Sequence, residues 1–149
     1  MISFDSNILV YAADRDAGER HRRAATLIEN SIRAGNCIQT LQSLCEFFNV
    51  LTRKLSVDPL AAAAFVEGWS AVVSVETSRT QDLADAMRAV RVHRLSFWDG
   101  MLWATIRRIG IKVLLTEDFQ DGRVIEGVRI VNPFVEANAG LIERILPAL

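Results

Sequence analysis

Residues 1–14 read MISFDSNILVYAAD, in which an aspartate interrupts a run of hydrophobic residues. Ile2 and Phe4 are typical of a buried strand, whereas Asp5 begins an Asp-Ser-Asn sequence typical of turns and helix caps. The first hydrophobic strand therefore ends abruptly in a carboxylate. Ligands of α/β sheets bind beyond the carboxyl ends of the strands, so Asp5 is a candidate functional residue.

Length and composition favour one domain with a sizeable core. The chain has 149 residues, of which 50% are hydrophobic and 23% are charged, and its formal net charge is −1. A chain of this size buries roughly two-thirds of the surface that it exposes when unfolded. We therefore expect residues 1–149 to form a single domain, and we expect any basic surface to be local.

The rare residue types exclude several classes of protein. Cys37 and Cys45 do not form a metal-binding spacing, and no secretory segment precedes them. The only histidines, His21 and His93, are far apart in the sequence, which argues against a histidine-rich zinc centre. No apolar run reaches the ~20 residues that span a membrane. These features predict a cytoplasmic protein with reduced thiols and no membrane contact, in which Cys45 lies in the core.

Helix and strand patterns alternate along the chain. Hydrophobic spacing and capping residues predict helices near residues 18–33, 40–54, 59–70, 80–92, 96–110 and 133–146. Short hydrophobic or β-branched stretches predict strands near residues 2–4, 37–39, 71–75, 111–116 and 127–131. No hairpin signal is evident. The alternation predicts an α/β fold, a three-layer α/β/α sandwich with a mainly parallel central sheet.

Apolar side chains at helical spacing predict which side of two helices faces the core. In the helix that begins after Thr40, this side comprises Leu41, Leu44, Cys45, Phe48 and Leu51. In the helix that begins at Thr80, it comprises Leu83, Ala86, Met87 and Val90. The aromatic side chains that are either core residues or exposed apolar patches are Phe47, Phe48, Trp69, Trp98 and Trp103.

Two further acids are candidates for the site of Asp5. Asp118 follows the strand that ends at Thr116, so parallel strands would bring it to the same edge of the sheet. Asp99 is the third residue of a helix capped by Ser96, where an acid can complete a capping box. Asp99 also begins an apolar helix face, which directs it toward the interior. The two interpretations of Asp99 are compatible.

The segment TEDFQDG, residues 116–122, offers three acids for one position in the site. An extended backbone would turn Asp118 to the side of Thr116 and Glu117 to the other side. Asp121 precedes a glycine and is typical of a turn. As the acid of this segment that completes the site with Asp5, we rank Asp118 first, Asp121 second and Glu117 third. Glu46 lies off the main apolar side of its helix, and its spacing fits a surface glutamate equally well.

Carboxylates gathered in one pocket cannot all stay ionised without a cation. They take up protons with raised pKa values, or they bind a metal ion. Oxygen ligands without histidine or cysteine suit Mg²⁺ or Mn²⁺. Such ions activate water and stabilise charge during attack at phosphorus, which is the chemistry of a phosphodiesterase or nuclease.

The chain resembles the PIN domains, and specifically the VapC-type ribonuclease toxins of bacterial toxin–antitoxin pairs. Four stretches in order carry the resemblance: FDSNILVYA (residues 4–12), QSLCEFFNVLTRK (42–54), LSFWDGMLWATIRRIG (95–110) and LLTEDFQDG (114–122). The resemblance implies a compact α/β/α sandwich that cleaves RNA with Mg²⁺ or Mn²⁺. It also implies a small cognate antitoxin as partner and a homodimer.

The resemblance further implies roles for individual residues. The acidic quartet of the catalytic site would comprise Asp5, Glu46, Asp99 and Asp118. The direct or water-mediated metal ligands would be Asp5, Asp99 and Asp118. The residues that would orient ligands or water around the metal are Ser6, Asn7, Thr116 and Asp121.

RNA binding requires cationic groups despite the balanced net charge. Basic side chains form four groups, which are Arg20/Arg22/Arg23, Arg53/Lys54, Arg88/Arg91/Arg94 and Arg107/Arg108. Arginine near a helix C-terminus also has an ordinary explanation in the helix dipole. The sequence does not indicate which of these four basic groups binds the RNA phosphates.

Two other functions are compatible with the sequence. A haloacid-dehalogenase-like phosphatase would use Asp5 as a covalent nucleophile. Such enzymes carry a second aspartate two positions later, where this chain has Asn7, which cannot transfer the proton. A non-catalytic PIN-like binding module would use the same acids only in caps and salt bridges.

Overall fold

The structure is a computed structural model that describes residues 1–146. Its helices are α1 (Ser6–Ala13), α2 (Glu19–Ala34), α3 (Leu41–Arg53), α4 (Pro59–Val72), α5 (Thr80–His93), α6 (Phe97–Arg108) and α7 (Ala139–Ile145). Its strands are β1 (Ile2–Phe4), β2 (Ile38–Thr40), β3 (Ser74–Glu76), β4 (Val113–Leu115), β5 (Val124–Ile125) and β6 (Val128–Val131). Among these described helices, none has the length and hydropathy needed to cross a membrane.

The sheet is mainly parallel, as predicted. β4 lies between β1 and β6 and pairs with both in parallel, while β5 adds an antiparallel edge to β6. β2 and β3 form a second parallel pair, and a bridge between Ile2 and Cys37 connects β1 with the segment that leads into β2. The carboxyl ends of β1 and β4 therefore meet at one edge, where Asp5 and Thr116 follow them.

Helices cover both faces of the sheet, which confirms the three-layer sandwich. Leu114 and Ile130 belong to a core formed with α5 and α6. Their neighbours Leu115 and Val131 belong to a core formed with α1, α2 and α3. Because successive residues of a strand point to opposite faces, β4 and β6 are buried on both sides.

Capping residues place the starts of α3 and α4 where the sequence predicts them. The Thr40 hydroxyl accepts a hydrogen bond from the backbone N–H of Ser43 at 3.1 Å. The Asp58 carboxylate accepts from the backbone N–H of Leu60 at 3.0 Å, and Pro59 occupies the first helical position. Each bond satisfies an N–H group that has no partner within its own helix.

Two elements differ from the sequence prediction. Residues 6–13 form helix α1, in which Ile8 and Leu9 are buried. A short apolar run fits a strand or a buried helix equally well, so its pattern did not reveal the helix. β5 and β6 form an unpredicted hairpin around Glu126 and Gly127, whose φ values of 45° and 88° suit a tight turn. Glutamate is unusual at such a position, which explains why the hairpin signal was missed.

The predicted boundaries of two further elements are also wrong. α4 continues to Val72, so β3 begins at Ser74 rather than at Ala71. The helix predicted from Pro133 begins at Ala139, after a short 3₁₀ turn.

The predicted core side of α3 is partly wrong. The buried residues of α3 are Ser43, Leu44, Phe47 and Leu51. Three of the predicted residues are exposed, namely Leu41, Cys45 and Phe48. α3 packs on α1 and α4 through the side that carries Phe47, which turns Cys45 outward. Of the other aromatic side chains, Trp103 is fully buried and Trp98 is 63% exposed.

The predicted core side of α5 is also partly wrong. α5 buries Ala86 and Ala89 against α6, whereas Leu83, Met87 and Val90 are exposed. The absence of a side chain at Gly100 of α6 permits a close approach of the two helices, since an added Cβ atom would lie only 3.1 Å from the Ala86 carbonyl oxygen. Small residues therefore form this contact, and the larger side chains of α5 face outward.

Candidate metal and catalytic site

Asp5 is a buried carboxylate at the end of β1. Its backbone N–H bonds to the carbonyl oxygen of Leu115 at 3.0 Å, which fixes it beside the end of β4. Its Oδ1 atom accepts from the backbone N–H of Ser6 at 2.6 Å and thereby caps α1. Its Oδ2 atom accepts from the Thr116 hydroxyl at 2.7 Å. The carboxylate that ends the first strand is thus held at the sheet edge where the sequence predicts it.

Two polar side chains of α1 join Asp5 to Glu46 and Asp118. The Ser6 hydroxyl donates to Glu46 Oε2 at 3.1 Å and lies 3.4 Å from Asp5 Oδ1. The Asn7 side-chain amide donates to Asp118 Oδ2 at 2.8 Å and lies 3.4 Å from Asp5 Oδ2. We refer to Asp5, Glu46 and Asp118 as the acidic cluster.

Burial dominates the electrostatics of Asp5. It raises the pKa of Asp5 from its ordinary value of 3.8 to about 6. Hydrogen bonds from Thr116 and Ser6 favour the charged form and oppose this shift, while the negative charges of Glu46 and Asp118 add to it. Ionised Asp5 is therefore costly at neutral pH, and a bound cation would offset that cost.

The acidic cluster has the donor chemistry that Mg²⁺ and Mn²⁺ prefer, because its charged groups are all carboxylates. The Asn7 Oδ1 atom is buried beside the cluster and has no hydrogen-bond partner in the part of the chain that the structure describes. Within residues 1–146, no three Asp, Glu, His or Cys side chains have an arrangement that could hold a metal ion. The oxygen donors of the cluster suit an ion that keeps several of its waters, as Mg²⁺ usually does.

The first turn of α6 is connected to the cluster through Gln42. The Gln42 side-chain amide donates to Glu46 Oε1 at 2.8 Å and to the Trp98 carbonyl oxygen at 2.9 Å. Asp99 is the next residue, and its backbone N–H donates to the Ser96 hydroxyl at 3.2 Å, which confirms the predicted cap. Among the described hydrogen bonds, none joins the Asp99 carboxylate to the other acids, so its role as a metal ligand stays a prediction.

Asp121 has other partners at the same edge of the sheet. Its carboxylate accepts from the backbone N–H of Asn132 at 2.8 Å and from the Asn138 side chain at 2.9 Å. These bonds attach the loop after β4 to the segment after β6. They give Asp121 a structural role, and Asp118 is the acid of this loop that contacts the polar residues around Asp5.

Gln42 and Tyr11 contact the site residues but were not predicted from the sequence. Gln42 precedes Glu46 by one helical turn, a spacing at which side chains meet. Tyr11 follows Asn7 by one turn of α1, and its hydroxyl donates to Glu117. If residues 6–13 had been predicted as a helix, the spacing of four residues would have placed Tyr11 on the same side as Asn7.

An open groove between α3 and α6 leads to the acidic cluster. The residues that form its walls include Leu41, Gln42, Cys45, Glu46, Trp98 and Met101. Exposed apolar side chains at the mouth of a charged site are typical of a surface that meets a macromolecule.

Comparisons with known proteins agree with the fold. The family model of the PIN domain matches residues 2–124. The structure of Mycobacterium tuberculosis VapC20, a sarcin–ricin loop cleaving toxin, is 25% identical with a TM-score of 0.62, over 79% of this chain and 90% of that chain. No curated protein sequence matches significantly.

Two more distant structures show the same fold. FitAB bound to an IR36 DNA fragment is 13% identical with a TM-score of 0.62, over 89% of this chain and 95% of that chain. FitAcB from Neisseria gonorrhoeae is 15% identical with a TM-score of 0.54, over 90% and 99% of the respective chains.

Proposed function

Because this chain belongs to the PIN domain family, we propose that it is a Mg²⁺- or Mn²⁺-dependent endoribonuclease and the toxin of a toxin–antitoxin pair. The observation that carries the proposal is the acidic cluster, in which Asp5, Glu46 and Asp118 come from separate parts of the chain and are joined by hydrogen bonds. Similarity to VapC20, a toxin that cleaves the sarcin–ricin loop, supports both the cleavage and the toxin role.

In the proposed reaction the acids would hold the metal ion, when bound, together with its water. Asp5, Asp99 and Asp118 would bind Mg²⁺ or Mn²⁺ directly or through water, and Glu46 would complete the pocket. The ion supplies activation of a water molecule and stabilisation of the charge that develops at phosphorus. The result is hydrolysis of an RNA phosphodiester bond.

The polar neighbours of the cluster orient its carboxylates. Ser6 donates to one oxygen of Glu46 and Gln42 donates to the other, so that this carboxylate has a fixed orientation. Held in this way beside the proposed metal ligands, the Glu46 carboxylate can take up the proton of the attacking water. Asn7 fixes Asp118 through a hydrogen bond of 2.8 Å.

The family and the exposed apolar side chains support two protein partners. A cognate antitoxin and a second copy of the chain would cover surfaces that include Leu41 and Trp98, which line the groove between α3 and α6, and Phe48, which is exposed on α3. We place the activity in the cytoplasm, where RNA is available.

We also propose that residues 1–149 form one PIN domain. The family match ends at residue 124, but β6 pairs with β4 in the same sheet. The Asn36 side chain donates to the Ile145 carbonyl oxygen at 2.9 Å, which connects α7 to the segment before β2. Membership of the PIN family leaves the phosphatase alternative without support.

RNA cleavage by the purified protein should require a divalent metal. In EDTA we expect no cleavage above background, and added Mg²⁺ or Mn²⁺ should raise the rate at least about a hundredfold, because the metal supplies the activated water. The measurement follows a 5′-labelled RNA on a denaturing gel. Equal cleavage with and without metal would contradict the proposal.

Substitutions of Asp118 and Asp121 should differ sharply in their effect on the rate of RNA cleavage. Asp118→Asn is expected to lower kcat at least about tenfold, because it alters a ligand of the metal. Asp121→Asn is the matched control and should leave kcat within about threefold, while lowering stability by about 1 kcal/mol through weaker hydrogen bonds. Steady-state kinetics and urea denaturation measure the two effects. A larger loss of kcat in Asp121→Asn would identify Asp121, and not Asp118, as the fourth acid of the catalytic quartet.

A further inference from the structure

Beside the acidic cluster, the side chain of Arg20 is held by two aromatic rings. Its guanidinium lies 5.0 Å from the centroid of the Tyr11 ring and 5.3 Å from that of Phe134. The two rings pack edge to face with centroids 5.2 Å apart. Cation–π contacts of this kind orient a guanidinium without consuming its hydrogen-bond donors.

Glu117 connects Arg20 to the acidic cluster. Its Oε2 atom accepts from Arg20 Nη1 at 2.7 Å, and its Oε1 atom accepts from the Tyr11 hydroxyl. The next residue, Asp118, is bonded to Asn7, which precedes Tyr11 by four positions on α1. Four residues of a helix span about 6 Å. Arg20 is thus attached about one helical turn beyond the point where α1 holds Asp118.

Arg20 is the outward member of its ion pair. Its side chain is 49% exposed, whereas that of Glu117 is 18% exposed. The described hydrogen bonds of Arg20, to Tyr11 and Glu117, both use Nη1. A guanidinium has five N–H donors in a planar fork, which matches the oxygens of a phosphate. The aromatic and acidic contacts therefore fix the position of the fork, and its Nε and Nη2 donors have no hydrogen bond among those described.

Several other arginines are engaged away from the cluster. Arg88 and Arg107 both pair with Glu126, at 2.6 and 3.0 Å. Arg108 pairs at 2.8 Å with Asp82, which is almost fully buried. An RNA strand that approaches the carboxylates is repelled unless a cation lies next to them. Contact with the residue adjoining Asp118 distinguishes Arg20 among the basic groups.

We propose that Arg20 binds an RNA phosphate neighbouring the one that is cleaved, and that it thereby positions the strand at the acidic cluster. This inference rests on the proposed function and names a residue that binds its substrate. The ligand is the charged sugar–phosphate backbone, so binding is independent of base identity.

The test compares Arg20→Ala with Arg22→Ala. Arg22 is the matched control, because it lies on the same helix, is 69% exposed and pairs with Glu19 of its own helix. The probe is a fluorescein-labelled single-stranded RNA of mixed sequence, and an Asp5→Asn background prevents cleavage. We expect Arg20→Ala to weaken binding about tenfold. We also expect it to reduce the slope of log K against log salt by about 0.7. Arg22→Ala should change both quantities little.

Glu117→Gln distinguishes phosphate binding from a structural ion pair. It removes the negative partner and leaves the Arg20 charge in place, so we expect RNA binding as tight as before or tighter. In the active protein, Arg20→Ala should raise KM about tenfold with kcat within about threefold, and Arg20→Lys should restore part of the loss. A purely structural pair would make Arg20→Ala and Glu117→Gln lower Tm alike, with the salt slope unchanged.

The outcomes separate this inference from the proposed function. If Arg20→Ala and Arg22→Ala bind RNA equally while the wild type cleaves RNA with metal, the inference is wrong and the proposed function stands. Weaker binding and a smaller slope in Arg20→Ala alone, together with metal-dependent cleavage by the wild type, support both. Absence of metal-dependent cleavage by the wild type overturns both.

Discussion

Asp5→Asn is expected to reduce RNA cleavage at least about a hundredfold while the fold survives. Asparagine has nearly the same shape and can still accept the 2.6 Å hydrogen bond from the backbone N–H of Ser6 that caps α1. It lacks the negative charge that favours a bound metal ion, and an N–H₂ group replaces one of the two carboxylate oxygens. The substitution therefore removes chemistry and preserves structure.

The measurement is the initial rate of cleavage of a labelled RNA, with circular dichroism as the check on folding. Asp14→Asn is the matched control, because Asp14 caps the next turn of the chain by accepting from the backbone N–H of Asp16 at 3.1 Å. It should cleave like the wild type. Equal rates for wild type and Asp5→Asn would favour a non-catalytic PIN-like module.

The same substitution is expected to stabilise the metal-free protein near neutral pH. The pKa of Asp5 is raised by burial from 3.8 to about 6. Below pH 4 both the folded and unfolded states hold the proton, whereas above pH 6 folding must bury an ionised carboxylate. The stability of the wild type therefore falls as pH rises between these values. This rise in the pKa of Asp5 corresponds to about 3 kcal/mol, the upper limit of the gain in stability of Asp5→Asn.

Part of the gain in stability of Asp5→Asn is lost, because the new amide would face the Asn7 amide. In the wild type, the Asn7 amide lies 3.4 Å from Asp5 Oδ2. We expect a net gain of about 1–2 kcal/mol at pH 7 and less at pH 4. Urea denaturation in EDTA across this pH range measures the difference. Added Mg²⁺ should reduce it, since binding stabilises only the wild type. A difference that is independent of pH would contradict the account.

The sequence predicts those features that depend on local chemistry. Thr40 and Asp58 mark helix starts because the capping bond involves residues two or three positions away. Asp5 and Asp118 could be placed together because parallel strands end at one edge of the sheet. Glu46 required the family resemblance, since its helix has apolar residues on two sides.

Features that depend on distant neighbours were not accessible in this way. Cys45 and Phe48 have the spacing of core residues, but the fold leaves them exposed beside a groove. An apolar stripe has the same pattern whether it meets a core or a partner protein. The hydrogen bond from Arg20 to Glu117 joins residues 97 positions apart, and no local pattern encodes it.

The most direct measurement is anomalous diffraction at the manganese edge from crystals of the wild-type protein grown with Mn²⁺. We expect a peak between Asp5, Asp99 and Asp118, with these side chains bound to the ion directly or through water. Crystals that bind no manganese there, with the Asp99 carboxylate turned away from Asp5, would contradict it.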